Sequence, residues 1–196
     1  MMPLLYVVTS IFISVLQSGE QVSGHSCRYA YVCDGGLTSD HTDIIKLKKE
    51  IEALKEKSKP VAFYAYRSGN LGTGSNLRHS IVVYDRVDLN IGNAYNKNNG
   101  KFTAPSVGLY LFHVSTGVYF KSYAVMQLVL NGVVKDIGFP DSATTGHALV
   151  RSHSTTATPL LLKRSDVVYA RIGVINGGNY IESNQYIRTS FSGTKL

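Results

Sequence analysis

The stretch YDRVDLNIGNAYNKNNGKFTAPSVGLYLFHV, residues 84–114, is the most informative part of this chain for its fold. Its aromatic, asparagine and glycine residues are widely spaced, in the order Tyr84, Asn90, Tyr95, Phe102, Gly108, Tyr110 and Phe112. The run that begins at Gly108 has the period-two pattern of a β-strand, and the Asn-rich segment NKNNG before it is typical of a turn. This stretch therefore predicts short strands joined by turns.

Alternating apolar residues continue on both sides of this stretch. They predict strands at residues 60–67, 80–85, 108–120, 123–130, 147–154, 159–162, 167–174 and 186–191. Asn131-Gly132 stands between the run YAVMQLVL and the run VVKDIGF, and it is a strong signal for a two-residue hairpin turn. No helical pattern interrupts these runs. We therefore predict an all-β fold, a jelly-roll β-sandwich of about ten strands.

The spacing of residues 84–114, with Thr103-Ala104-Pro105 after Phe102, resembles the C1q globular-domain family of the C1q/TNF superfamily. The segment VAFYAYRS (61–68) is similar to the first strand of that family, and SFSG (190–193) is similar to its last strand. The resemblance covers about 135 residues. It implies a domain at 60–196 that assembles as a homotrimer or a higher oligomer.

The chain departs from the family pattern at three positions. Tyr84 stands where the family usually has Phe, Val114 stands where it usually has an aromatic residue, and Ser165 replaces the Gly of a Leu-x-x-Gly-Asp-x-Val segment. The aromatic residues of the pattern are predicted to be core, and burial of each contributes on the order of 2 kcal/mol. The predicted structural set is Phe63, Tyr84, Asn90, Tyr95, Phe102, Gly108, Tyr110, Phe112 and Phe191.

The N-terminal region has the pattern of a cleaved signal peptide. The apolar run at 4–16 is shorter than the roughly 20 residues of a membrane-spanning helix, and small residues follow it. We therefore expect a signal peptide at 1–24, no transmembrane segment and secretion of the mature protein. Cys27 and Cys33 lie in the next segment, 25–41, and either an intrachain or an interchain disulfide suits an oxidising compartment.

A short coiled-coil helix is predicted at 42–58, before the β-domain. Ile44, Leu47, Ile51 and Leu54 follow a 3-4-3 spacing among Lys and Glu residues. Ile at one core position and Leu at the other favour dimers in parallel coiled coils. Two heptads are short, however, and we expect the globular domain to dictate the stoichiometry. The chain has no Gly-X-Y repeat, so it resembles the short-stalked, non-collagenous, cerebellin-like members of the family.

No pattern for catalysis or for a cofactor occurs in the sequence. It has no Gly-x-Ser-x-Gly, P-loop, HExxH or dinucleotide-binding glycine motif, and we predict no catalytic residue, no enzyme activity and no cofactor. Some members of the family bind calcium, which needs oxygen ligands that usually include carboxylates. Residues 142–165 contain no Asp or Glu, so we assign no metal site.

The positive charge of the chain is concentrated in its β-domain. The net charge is +7, and residues 61–196 hold thirteen Lys and Arg against six Asp and Glu. Such a domain attracts anionic partners. The ligand-binding residues predicted on this ground are Arg151, His147, His153, Lys163 and Arg164. The alternative is that these side chains are separately solvated on different loops, and that the charge only keeps a secreted domain soluble.

The resemblance implies a function in extracellular recognition. Members of the family in invertebrate innate immunity act as lectin-like binders of microbial surface polymers. We therefore expect binding of polysaccharide or lipopolysaccharide, with avidity from identical sites in one trimer, and no nucleic acid as a physiological partner. The alternative is a structural or signalling adaptor that binds a protein receptor, as cerebellin-like and cytokine-like relatives do.

Overall fold

A computed structural model describes residues 37–143 and 150–196 of the protein. The predicted signal peptide at 1–24, the two cysteines Cys27 and Cys33, and His147 lie outside the described residues. The strands in the described part are β1 (Ala62–Tyr66), β2 (Leu71–Gly72), β3 (Arg86–Ile91), β4 (Tyr95–Asn96), β5 (Lys101–Thr103), β6 (Gly108–Val118), β7 (Tyr123–Leu130), β8 (Val133–Gly138), β9 (Ser152–Leu162), β10 (Val167–Gly177), β11 (Tyr180–Glu182) and β12 (Ser190–Lys195). A single turn of 3₁₀-helix occupies Ser75–Leu77.

One α-helix, α1 (Leu37–Ser58), precedes the strands in the described chain. It begins earlier than the predicted position 42 and ends at 58, before Pro60, which restricts the residue before it to extended conformations. The four apolar residues of the predicted seam, Ile44, Leu47, Ile51 and Leu54, are all about half exposed. No helix in the described residues combines the length and the apolar character that a membrane span requires.

The strands form two antiparallel sheets, which confirms the predicted all-β jelly-roll sandwich. In the seven-stranded sheet the order is β2-β11-β6-β12-β1-β3, and β9 pairs with the other side of β6. The five-stranded sheet has the order β4-β5-β10-β7-β8. Buried side chains from both sheets form one apolar cluster, so the core lies between the two sheets.

Stacked aromatic rings fill the centre of this core. The ring of Phe63 on β1 stacks on Phe102 of the opposite sheet at a centroid distance of 5.3 Å, and Phe102 meets Phe112 edge-on at 5.2 Å. Seven aromatic residues of the predicted structural set have exposed fractions of 4% or less: Phe63, Tyr84, Tyr95, Phe102, Tyr110, Phe112 and Phe191. Gly193 on β12 makes room for them, because a Cβ there would lie 2.6 Å from the ring of Phe112.

Asn90 and Gly108 are half-buried and lie outside this aromatic core. The side-chain amide of Asn90 accepts a hydrogen bond from the Tyr95 backbone N–H at 3.1 Å and donates to the Tyr95 carbonyl at 2.9 Å. Asn90 therefore closes the turn before Tyr95. At Gly108 a Cβ would lie 2.6 Å from Cε of Lys195, so this glycine makes room for a side chain, not for a neighbouring backbone.

Tyr84 carries a hydroxyl that its surroundings do not satisfy. The side chain is fully buried, and its hydroxyl has no hydrogen-bond partner in the described part of the protein. Burial raises the pKa of this phenol well above its ordinary value. The neighbouring Tyr95 hydroxyl donates to the Tyr84 carbonyl at 3.1 Å, and burial raises its pKa to about 12. Phe, which the family usually has at position 84, would leave no such hydroxyl.

The predicted strand at 80–85 is wrong, since the adjacent strand is β3, which begins at Arg86. Residues 80–85 have alternating burial, but they meet β10 only through an isolated bridge at Ile81 and backbone bonds such as Val82 N–H to the Ala170 carbonyl. Side chains are therefore buried alternately in residues 80–85 although this segment forms no continuous hydrogen-bond ladder with a neighbouring strand.

Two other strand boundaries differ from the prediction. β9 is one eleven-residue strand that covers both 152–154 and the separately predicted 159–162, because its whole length pairs with β6. The last strand begins at Ser190, not at residue 186. The predicted hairpin at Asn131-Gly132 is confirmed: both residues have positive φ, 48° and 87°, between the paired strands β7 and β8.

Candidate functional site

Four of the five predicted ligand-binding residues lie in the described part of the chain, at the two ends of β9. Arg151 immediately precedes the strand and His153 is its second residue, whereas Lys163 and Arg164 follow its last residue. Eleven residues of extended chain span about 35 Å at roughly 3.3 Å per residue. Within one subunit, therefore, the basic residues at these two ends do not form a single patch.

Arg151 is engaged inside its own subunit. Its Nε donates to both carboxylate oxygens of Glu182, at 3.0 and 2.9 Å. The Glu182 side chain is fully buried, whereas 36% of the Arg151 side chain is exposed. The hydrogen bond to Glu182 raises the pKa of the Arg151 guanidinium. Because a buried carboxylate needs a compensating charge, Arg151 stabilises the fold and its own charge is largely balanced.

Aromatic rings enclose the same guanidinium. Its central carbon lies 5.2 Å from the ring centroid of Tyr119 and 5.3 Å from that of Tyr186. Tyr119 in turn stacks on Tyr180 at 4.6 Å with the planes only 9° apart. These cation–π contacts hold Arg151 in place against Glu182.

The other predicted residues differ in their environment. His153 is exposed on the outer face of the seven-stranded sheet, and its Nε2 lies 2.6 Å from Oγ of Ser115. Lys163 and Arg164 are exposed in the turn between β9 and β10, and Asp166 accepts a hydrogen bond from the backbone N–H of Lys163 at 2.8 Å. Arg164 makes no side-chain hydrogen bond or ion pair with any described residue.

A polar cavity of about 490 Å³ opens where β1 ends and the β11–β12 loop passes. The sequence patterns did not predict it. The residues that line it come from two segments distant in sequence: Tyr66, Arg67, Ser68, Gly69, Asn70, Ser183, Asn184, Gln185 and Arg188. Two of them are arginines, three carry side-chain amides, and none is acidic.

The two arginines of the cavity are held differently. Arg67 is half-buried and donates through Nε to the Gly69 carbonyl at 3.2 Å and through Nη1 to the Val83 carbonyl at 2.9 Å. Arg188 is exposed, and its guanidinium carbon lies 4.1 Å from the ring centroid of Tyr66. The arginine that is free to meet a ligand is therefore Arg188.

The loop that carries Arg188 is fixed by its own hydrogen bonds. Oδ1 of Asn184 accepts from the backbone N–H groups of Tyr186 and Ile187, at 2.8 and 3.3 Å. Nδ2 of Asn184 donates to Oε1 of Glu182 at 2.7 Å, which connects the cavity wall to the partner of Arg151. Thr189 closes the loop by donating from Oγ1 to the Glu182 carbonyl at 2.7 Å.

The described residues contain no group of three or more His, Cys, Asp or Glu side chains arranged to hold a metal ion. No local motif marks the cavity either. Arg188 is an isolated arginine in the segment NQYIRTS, and Tyr66, on which it stacks, belongs to the first strand. The one available signal was the general excess of positive charge in the β-domain.

The profile of the C1q domain family matches residues 62–194, which include all strands of the two sheets except the last residue of β12. This chain belongs to the C1q domain family. Proteins of this family are ligand-binding proteins of the C1q/TNF type and are generally not enzymes. The C1q domain of this chain is the part that contains both the Arg151–Glu182 pair and the polar cavity.

Known proteins resemble this C1q domain to different extents. A protein of Mytilus edulis described as "Heavy metal-binding protein HIP" is 33% identical over 94 residues, which make up 46% of this chain and 40% of that protein. The chain thus matches less than half of its relative's length.

Solved structures share the fold of this domain at low sequence identity. The globular domain of a zebrafish complement 1qA protein has a TM-score of 0.51 at 15% identity, covering 68% of this chain and 94% of that one. Murine APRIL has a TM-score of 0.50 at 12% identity, covering 70% of this chain and all of that one. These two likenesses concern the fold alone.

Proposed function

We propose that this protein is a secreted, homotrimeric recognition protein that binds anionic polymers of microbial surfaces, such as acidic polysaccharide or lipopolysaccharide. The signal peptide at 1–24 directs secretion. The Cys-containing segment at 25–41 and the helix that ends at Ser58 precede the C1q domain, which carries the ligand sites. The polymer is bound by charge and hydrogen bonding, and no covalent chemistry is involved.

The observation that carries this proposal is the unbalanced positive charge of the C1q domain. Thirteen Lys and Arg face six Asp and Glu in residues 61–196, and one of those six, Glu182, is already buried against Arg151. Exposed Arg78, Arg164 and Arg188 make no ion pair with any residue in the described ranges. A surface with several unpaired positive charges attracts polyanions and raises the rate at which they associate with it.

The outer face of the seven-stranded sheet supports self-association. Leu109 on β6 lies opposite Leu161 on β9, and Leu111 lies opposite Pro159. Leu161 is 76% exposed and Leu109 is 43% exposed. An apolar face of this kind on a secreted domain is suited to burial against further copies of the chain. Three copies would present each anion site three times, which increases avidity for a repetitive polymer.

The proposal is tested by binding of the purified mature protein to an array of glycans and microbial polymers. We expect binding to acidic polymers and not to their neutral counterparts. We also expect binding to weaken as salt rises, because the Debye length falls from about 10 Å at 0.1 M to about 3 Å at 1 M. Absence of polymer binding, together with saturable binding to one protein receptor, would contradict the proposal and favour the adaptor function.

A further inference from the structure

The cavity between β1 and the β11–β12 loop contains a guanidinium with unused hydrogen-bonding groups. Arg188 makes no hydrogen bond or ion pair with the described residues, and its one ring contact is with Tyr66 at 4.1 Å. A guanidinium has five N–H donors in a planar fork that matches a carboxylate. Because the contact with Tyr66 already restrains the side chain, a bound anion would cost less side-chain entropy.

The charge around Arg188 favours an anion. Arg67 lies in the same cavity wall, and its guanidinium is held in position there because two of its nitrogens donate hydrogen bonds to backbone carbonyls. Two carboxylates adjoin this wall without lining the cavity: Asp85, whose Oδ1 accepts from the Ser68 backbone N–H at 2.9 Å, and Glu182, which Asn184 contacts. Arg151 already balances the charge of Glu182, so Asp85 is left beside the guanidinium groups of Arg67 and Arg188, and the cavity stays positive.

The remaining polar groups of the cavity suit the hydroxyls of a sugar. Gln185 is exposed and its amide makes no hydrogen bond with the residues described. Asn70 accepts from the Ser183 backbone N–H at 2.8 Å through Oδ1, and its Nδ2 has no partner among those residues. A volume of about 490 Å³ lies within the usual range of small-ligand sites, roughly 300–1,000 Å³.

We propose that this cavity is the binding site for a carboxylated sugar unit, whose carboxylate Arg188 binds and whose hydroxyls contact the amides of Asn70 and Gln185. The inference rests on the proposed function and names the site and the chemical class of its ligand. It moves the anion site away from Arg151, whose guanidinium is already committed to Glu182. The loop bonds of Asn184 hold the site open before the ligand arrives.

The test measures the affinity of the full mature protein for galacturonic acid oligomers by calorimetry. The ligand control is the methyl-esterified oligomer, which has the same sugar backbone without the charge. In Arg188→Gln we expect affinity for the acidic oligomer to fall about 10- to 100-fold, because a charge-assisted hydrogen-bonded pair is lost. Arg188→Lys keeps the charge but not the fork, so its affinity should be intermediate.

The protein control is Lys135→Gln, which removes one positive charge from an exposed side chain of β8 outside the cavity. This control should leave the affinity within about twofold of that of the unmodified protein, because a charge outside the cavity contributes only to general attraction and does not contact the bound carboxylate. An equal loss in both variants would overturn the site assignment in favour of general charge attraction. Unchanged affinity in Arg188→Gln would also overturn it, while leaving the proposed function intact.

Two further outcomes are distinguishable. If the unmodified protein binds no acidic polymer of any kind, the proposed function fails and the site assignment fails with it. If Arg188→Gln changes the mass of the assembly in light scattering, Arg188 belongs to a contact between subunits, and its assignment to a ligand is overturned.

Discussion

At the scale of single residues, Ser165 occupies a conformation that suits glycine. Its φ is 71°, in the left-handed region, and it lies in the turn between β9 and β10. The turn is fixed there because Ser165 donates its backbone N–H to the Ala104 carbonyl at 2.8 Å. The family pattern has Gly at this position, so the structure explains in physical terms what the departure costs.

Ser165→Gly is expected to raise the free energy of unfolding by about 0.5–1 kcal/mol. Relief of the left-handed strain, about 1–2 kcal/mol, exceeds the entropy that an added glycine loses on folding, about 0.5–1 kcal/mol. Urea denaturation at fixed protein concentration measures the change. The control is Ser192→Gly on extended β12, which should be destabilised instead. A less stable Ser165→Gly variant would contradict the assigned backbone conformation.

At the scale of elements, one carboxylate connects the β7–β8 hairpin to the β9–β10 turn. Asp166 accepts a hydrogen bond from Nδ2 of Asn131 at 2.9 Å and from the Lys163 backbone N–H at 2.8 Å. The bond from Asn131, followed by that from Lys163, lowers the pKa of Asp166 below its usual value of 3.8. The ionised form is therefore the one that holds the two turns together.

Asp166→Asn should lower stability at neutral pH, because an amide cannot accept both of these bonds through two oxygens. A carboxyl with a depressed pKa stabilises the fold above its usual pKa of 3.8 and loses that contribution as pH falls through its lower folded value. The difference in free energy of unfolding between Asp166→Asn and the unmodified protein should therefore become smaller as pH falls from about 5 to about 2. Thermal unfolding across this range measures it.

The control for this experiment is Asp88→Asn, since Asp88 is exposed on β3 and its side chain accepts no hydrogen bond from the described residues. Its stability should track that of the unmodified protein at every pH. A constant difference for Asp166→Asn over the whole pH range would show that its carboxylate does not connect the two turns.

At the scale of the whole molecule, we expect the proposed assembly to use the outer face of the seven-stranded sheet. The apolar pairs of β6 and β9 on this face of the C1q domain include Leu161, which is 76% exposed, and Leu109, which is 43% exposed. Since a buried apolar side chain contributes about 1.5–3 kcal/mol, repeated contacts at three equivalent interfaces would hold a trimer together.

Leu161→Asp is expected to dissociate the proposed trimer into single chains at micromolar concentration. Each interface would have to bury an unpaired carboxylate, at a cost of several kcal/mol. Light scattering of the mature protein measures the mass. Val174→Asp is the matched control, because Val174 is 49% exposed on β10 of the other sheet, and this variant should keep the mass of three chains. A trimeric Leu161→Asp protein would place the subunit contact elsewhere.

The fold class and the family of this protein could be predicted from patterns in its amino-acid sequence. Alternation of apolar residues depends on neighbours two positions apart, and the Asn131-Gly132 turn depends on two adjacent residues, so both are visible in the chain before it folds. The aromatic residues from Tyr84 to Phe112 predict the core because their order and spacing can also be read directly from the chain. Residues 80–85 show the limit of such patterns, because their alternating apolar residues did not reveal that they lack a continuous partner strand.

Which positive charges are free could not be predicted from the sequence, because it depends on contacts in the folded domain. Arg151 and Arg188 look alike in the sequence, but folding brings Glu182 to the first and Tyr66 to the second. A carboxylate neutralises a guanidinium, whereas an aromatic ring leaves its N–H groups free to bind an anion. Charge depends on composition, but availability of that charge depends on distances between segments that are remote along the chain.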